Sequence, residues 1–451
     1  MNFFIKHEKK LLTAFIILFA FVHLFGSLYL AYRNTSYFLH HDGSEYLDLA
    51  ESYATYGRLI SEKDRYYETP RDVPTPEAFR IQLLSVFTGI LIFGGFSPLA
   101  AAAVFSAVTA TLLALLIYTV SKKLSGTSLA GWISLILFSV HPLFAQLTFQ
   151  FCCEPLCSLF ILCFFLLFIG NPSFHRSFLM SACILGAAYS RASTFLFFPF
   201  AAVIALVCGL RISKGFFCYL KSKSFRNLLV FTLTACCVAF SIGFRNYLYF
   251  HSFSLAGFEG GFGFFHGNNR YTLKAMQVKN WQDYLMMEDK SWDLTFSTVR
   301  NLPKEDFSCH PEKQSEYMFH LAVNELAGMT FSEKITLFGR KFIHFVQPNP
   351  RTKRHNSVLY WGLTIFISLL YLAGTAGAVH LWKKRKMEVC ALFFLMVSGM
   401  IVYTAFLVNM RYRVPYIDLS CILLAGGISL FKWRCSRKLL HHSAQANSTR
   451  L

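Results

Sequence analysis

Residues 176–210 read RSFLMSACILGAAYSRASTFLFFPFAAVIALVCGL, with Arg191 in their middle. Read through the arginine, the stretch is a single long apolar helix. Broken at it, the stretch is two helices, about 176–190 and about 193–210. A single span inverts the sidedness of everything downstream, so this reading decides the topology. Charge separates the alternatives, because membrane proteins retain Lys and Arg in cytoplasmic loops. Basic clusters fall at Lys6, Lys9 and Lys10, at Lys122 and Lys123, at Arg176, and at Lys214, Lys221, Lys223 and Arg226. They continue at Lys383–Lys386 and at Lys432, Arg434, Arg437 and Lys438. A break at Arg191 places all of them on the cytoplasmic side, together with both chain ends. A continuous span turns the last two clusters outward.

Composition agrees with a membrane protein. Of 451 residues, 55% are hydrophobic, 50 are Phe and only 15% are charged, where a soluble domain carries about 25% charge. Apolar runs of about 20 residues, the length a bilayer requires, recur along the chain. Backbone groups in lipid must be satisfied within their own segment, so each run reads as a helix. The runs are about 11–31, 97–119, 127–145, 153–170, 176–190, 193–210, 227–248, 358–382, 388–408 and 414–431. The expected fold is an all-α polytopic membrane protein of about ten helices with two exoplasmic loop regions. Residues 1–31 form a cytoplasmic N-terminus and helix 1, read as a retained signal anchor because no small-residue cleavage site follows before Arg33. The first exoplasmic loop is 32–96, helices 2–7 occupy 97–248, the second exoplasmic region is 249–357, the last three helices occupy 358–431, and 432–451 is a basic cytoplasmic tail. Trp361, Trp382 and Trp433 lie at helix ends, as interfacial aromatics do. The net charge of +19 reflects this sidedness; no RNA-binding motif accompanies it, so nucleic acid is not an expected partner. The 13 cysteines lie mostly in or beside helices, with Cys309 alone in a long external segment, and read as small apolar residues. No paired Cys/His spacing suggests zinc.

The first loop carries His40-His41-Asp42-Gly43-Ser44-Glu45-Tyr46, followed by apolar residues at helical spacing, Leu47, Ala50, Tyr53 and Ala54. A short interfacial helix is expected there. Asp42 is either its N-cap or a carboxylate held at the membrane surface as a general base. The loop ends in Ala78-Phe79-Arg80 and the apolar stretch Ile81–Phe93, too short to span. Charges at the ends of membrane helices are costly and mark sites. Glu154, Arg191, Arg245 and the pair Arg411 and Arg413 all fall on the outer side. Each arginine alone could snorkel to headgroups; several together suit a lipid phosphate gripped bidentately. The second region opens with Phe258-Glu259-Gly260-Gly261-Phe262-Gly263-Phe264-Phe265-His266-Gly267-Asn268-Asn269. Glycines interleaved with phenylalanines imply positive φ or close approach of the backbone to a ligand. Two amphipathic stretches, Ser315–Ala327 and Ser332–Phe345, follow.

In this order the features resemble the GT-C class of integral-membrane glycosyltransferases. The resemblance is to the branch related to dolichyl-phosphate-mannose protein mannosyltransferases (glycosyltransferase family 39), which includes lipid A aminoarabinose transferase and rhizobial lipopolysaccharide galacturonosyltransferases. Asp42 with Glu45 and Tyr46 matches the family's Asp-acidic-Tyr segment after helix 1, and Glu154 matches its acid at the start of helix 4. Arg191, Arg245-Asn246, Gly260-Gly261, Gly267-Asn268-Asn269 and Arg411-Tyr412-Arg413 match further motifs, and Arg80 alone remains of an Arg-Pro-Pro segment, Ile81-Gln82 replacing the prolines. The resemblance covers about 5–431. It implies transfer of one sugar from a polyprenyl-phosphate donor to a lipid-linked, glycan or protein acceptor, outside the cytoplasm of a bacterial inner membrane and without metal or cofactor. Asp42 is then the base. Arg245, Arg411, Arg413, Arg191 and Arg80 are candidates for the donor phosphate, and Glu154, Glu45, Tyr46, His266, Asn268 and Asn269 for sugar or acceptor. The rival readings are a ligase or polymerase using diphosphate-linked glycans, a lipid-linked sugar transporter, and a non-catalytic membrane protein.

Overall fold

The computed structural model describes residues 2–40, 42–63, 70–76, 83–170, 173–212, 220–255, 257–278, 281–303, 307, 310–347, 358–406 and 409–430. Arg80, Cys309 and the basic tail lie outside them.

All ten apolar runs are helical. Six are long enough to cross a bilayer: α1 (Asn2–Arg33), α5 (Pro98–Ser125), the pair α6 (Ser128–Val140) and α7 (Pro142–Phe149), α11 (Lys223–Phe250), α17 (Val358–Trp382) and α18 (Lys386–Ala405). The α6–α7 pair is bent by 68°, because Pro142 cannot donate to a continuing helix. The other four are shorter: α8 (Cys153–Phe168), α9 (Phe174–Ser190), α10 (Phe197–Ile212), and a final run broken into short pieces. That run is a 3-10 turn (Met410–Arg413), a π turn (Val414–Asp418), α19 (Leu419–Ala425) and a 3-10 turn (Gly426–Ile428). Arg191 does break the 176–210 stretch. Its backbone is extended at φ −148°, ψ 112°, between α9 and a 3-10 turn over Ala192–Leu196.

Small residues let the helices approach. Ala101, Ala102, Ala103, Ala107, Ala110 and Ala114 on α5 are buried, and close backbone approach through small residues is how helices associate in lipid. At Gly377 an added Cβ would lie 1.8 Å from the Leu424 carbonyl oxygen, so only glycine permits the α17–α19 contact.

Between α1 and α5 lie α2 (Thr35–Phe38), α3 (Gly43–Tyr56), an antiparallel hairpin of β1 (Ile60–Lys63) and β2 (Pro70–Pro76), and α4 (Leu83–Phe93). The bundle is all-α as expected, with this one small hairpin in the first loop. Its second strand carries Pro70, Pro74 and Pro76, which suits an edge strand that lacks donors. The expected interfacial helix is α3, and α4 is the apolar stretch too short to span.

Residues after α11 form α12 (Gly260–Gly267), α13 (Arg270–Gln277), α14 (Trp281–Arg300), α15 (Pro311–Gly328) and α16 (Phe331–Val346). Phe250, Phe258, Phe262, Phe265, Val299 and Met318 build one core among them. The expectation of positive φ in the glycine-rich segment is overturned: among described residues the positive-φ glycines are Gly57, Gly95 and Gly126. Close approach does occur, but to another helix, since a Cβ on Gly261 would fall 1.8 Å from the Ser315 carbonyl oxygen.

Candidate active site

Asp42 occupies the N-cap position of α3 but makes no side-chain cap hydrogen bond. Its Oδ2 instead accepts from Arg411 Nη2 at 2.8 Å. The loop is held in place from below: Phe151 N donates to Phe38 O at 2.9 Å, and Gly43 lies so close to Phe151 O that a Cβ would sit 2.8 Å away. This brings Asp42 beside the start of α8, where Glu154 is fully buried. Glu154 pairs with Arg191 and lies 3.4 Å from Arg411 Nε. The four side chains therefore alternate in sign, Asp42–Arg411–Glu154–Arg191.

Aromatic residues frame the arginines. Arg191 Nε donates to Tyr403 Oη at 3.0 Å, and its guanidinium lies 4.1 Å from the Tyr412 ring centre. Tyr403 stacks on Tyr412 at 4.8 Å. Ser193 Oγ is 2.6 Å from both Tyr403 Oη and Tyr416 Oη. Cation–π contact and hydrogen bonding fix the plane of Arg191, which a lysine could not reproduce.

Asp42, Glu45, Tyr46, Arg191 and Arg411 open onto a cavity of ≈ 1080 Å³, at the upper end of ligand-site volumes. Its far wall comes from α12 and α14, including Glu259, Gly260, Glu288, Asp289 and Trp292. Burial, with the neighbouring charge of Asp289, pushes the Glu288 carboxyl up to about 7.

The remaining candidates lie elsewhere. Arg413, expected at a donor phosphate, is fully buried and does not line the cavity, its Nε donating to Asp418 Oδ2 at 3.1 Å. Asp418 also accepts from Tyr371 Oη at 3.1 Å and has His141 Nε2 at 3.7 Å. Arg245, half-buried near the end of α11, donates to Asn246 Oδ1 at 2.8 Å and faces the rings of Tyr249 and Phe250; it is not among the residues lining the cavity. His266 is buried, stacked on Trp292 at 3.8 Å and 3.1 Å from Ser291 Oγ; burial pushes its imidazole down to about 3. Asn269 caps α13 through Tyr271 N and Thr272 N. Asn268 donates to Phe264 O and Ala405 O, each at 2.8 Å. These three side chains, expected at sugar or acceptor, make contacts within and between helices.

Sequence reasoning missed Glu288, Asp289, Trp292, Tyr403 and Lys341. For Lys341 a signal was present: it interrupts the stripe Leu337–Lys341–Phe345, and all three are buried.

No family model matches the chain, and no curated protein matches it. Among solved structures the chain is similar to ArnT. The two are ArnT from Cupriavidus metallidurans bound to undecaprenyl phosphate (TM-score 0.34, 12% identity, 92% of this chain and 77% of that one) and in the apo state (TM-score 0.33, 13% identity, 92% and 77%). Likeness at these values assigns neither a substrate nor a residue's role.

Proposed function

We propose that this protein transfers a single sugar from a polyprenyl-monophosphate donor to an acceptor hydroxyl at the exoplasmic face of the membrane, with inversion. The observation that supports it is the alternating cluster Asp42–Arg411–Glu154–Arg191, of which Asp42, Arg411 and Arg191 line a large cavity. The acceptor oxygen attacks the anomeric carbon as the bond to the phosphate oxygen breaks. Asp42 takes the hydroxyl proton. Arg411 and Arg191 offset the charge developing on the leaving phosphate. Glu154, buried between the two guanidiniums, holds them at a fixed separation. Arg411 Nη2 donates to Asp42 Oδ2. Phosphate oxygens compete for that guanidinium, so donor binding also releases the base. The acceptor is a lipopolysaccharide, another envelope glycan or a protein, and the membrane is a bacterial inner membrane.

Purified protein in nanodiscs, supplied with a panel of radiolabelled polyprenyl-monophosphate sugars and membrane extract, tests this through release of polyprenyl phosphate. Turnover of one donor, lost in Asp42→Asn and Arg411→Ala while folding is kept, is the expected result. Turnover only with diphosphate-linked glycans would replace the monophosphate reading, and no turnover with either would leave a transport role in its place.

A further inference from the structure

We propose that Lys341 is a positioning residue that couples the α12–α16 helices to the turn carrying Arg411. The side chain is fully buried. Its Nζ donates to Asn268 Oδ1 at 2.8 Å and Phe406 O at 2.7 Å, with Thr404 O at 3.3 Å and Ala405 O at 3.5 Å. Those three carbonyls close α18, where a helix leaves acceptors unpaired and carries negative partial charge. Asn268 donates to Ala405 O as well, so an amide and an ammonium grip the same helix end. The Arg411 turn starts just beyond it, with Asn409 Oδ1 accepting from Arg411 N at 3.1 Å. On its other side Asn268 follows α12, whose Gly260, Phe262 and Gly263 line the cavity. The clamp thus joins the far wall of the cavity to the arginine on its near wall.

A lysine that merely fills a core would act on global stability alone. A coupling residue acts on two particular segments. Burial pushes the Lys341 ammonium down to about 7. The groups facing it are His266, kept neutral by burial, and Glu288 and Tyr284, which share a small cavity with it. The Phe338 ring lies 5.3 Å away. Arg270 and Lys274 lie on the packed helix α13, Arg340 and His344 on α16 itself, and Arg411 and Arg413 on the packed turn.

Hydrogen exchange on the full-length protein in nanodiscs tests the coupling without any ligand. Lys341→Met is expected to cut protection about tenfold in 260–267 and 409–413 together, within the usual range of coupling between sites, leaving α5 unchanged. In the wild type, intrinsically corrected protection of both segments rises as pH goes up from about 7, because the opened segment's lysine keeps a proton that the buried one has given up. Asn268→Asp sets a carboxylate against the ammonium and moves that limb up by about one pH unit or more, while Glu288→Gln leaves it in place. Unchanged protection at 409–413 in Lys341→Met, or a limb unmoved in Asn268→Asp, overturns the proposal; so does loss of protection throughout the chain. Binding of polyprenyl monophosphate, which rests on the proposed function, is read separately: the coupling stands if protection changes as expected yet the wild type binds no such lipid, and the donor assignment then falls.

Discussion

Arg411 and Arg413 are two residues apart, and the structure gives them separate work. Asp418→Ala removes the carboxylate that pairs with a guanidinium having no exposed surface. Breaking a fully buried ion pair from one side costs about 3–5 kcal/mol, roughly a 10²- to 10⁴-fold change in the folded-to-unfolded ratio. Removing both charges is a different matter. In Arg413→Met/Asp418→Asn the amide oxygen still accepts from Tyr371, and the bonds lost include the one that Arg413 Nη1 gives the Gln347 carbonyl. One unmet buried acceptor costs about 1–3 kcal/mol. The double variant is therefore expected to be more stable than Asp418→Ala alone. Equilibrium unfolding in mixed micelles, followed by far-UV circular dichroism, measures the difference. Donor turnover by the double variant should stay within about threefold of wild type, as for a pair outside the site. A double variant less stable than Asp418→Ala, or one that folds but has lost turnover as Arg411→Ala does, refutes this division of roles.

Asp42→Asn should lower turnover by about 10²- to 10⁴-fold, the range for loss of a positioned base, with the melting temperature little changed because Asp42 does not cap α3. Gly261→Val should cost about 1–3 kcal/mol of stability, as overpacking does, since its Cβ meets the Ser315 backbone; limited proteolysis would then cut between α12 and α15. The His266 imidazole, held down to about 3 against an ordinary 6.5, resists a proton that the unfolded chain accepts between those values. Stability of the α12–α16 helices should therefore fall as pH drops from about 6.5 toward about 3. Amide exchange in 260–300 measures this, and a slope that persists in His266→Gln refutes the assignment.

The spanning helices were legible because lipid demands long apolar runs, and the break at Arg191 because positive charge is sorted by side. Asp42, Glu154, Arg191 and Arg411 were legible as charges at helix ends, where charge is costly. Their mutual geometry was not. Arg411 and Arg413 read alike in sequence, and only the passage from a 3-10 to a π turn, around Pro415, sends one to Asp42 and the other to Asp418. The cavity's far wall was hidden for another reason. Glu288, Asp289 and Trp292 belong to an amphipathic helix with no motif, and long-range packing alone brings α14 across from Asp42. The glycines of α12 read as positive φ or approach to a ligand, whereas Gly261 meets a carbonyl of the same chain, which sequence could not say.

The helix that ends at Arg191 is short. With 17 residues, α9 rises about 26 Å at 1.5 Å per residue, less than the ~30 Å of a hydrocarbon core, whereas α10 is lengthened by the 3-10 turn Ala192–Leu196 before it. Both face outward, with Phe178, Leu179 and Val203 about half exposed. A bilayer answers such hydrophobic mismatch by thinning locally. On the proposed function, thinning beside α9 would let a lipid-borne headgroup reach the arginines without its hydrocarbon tail leaving the membrane.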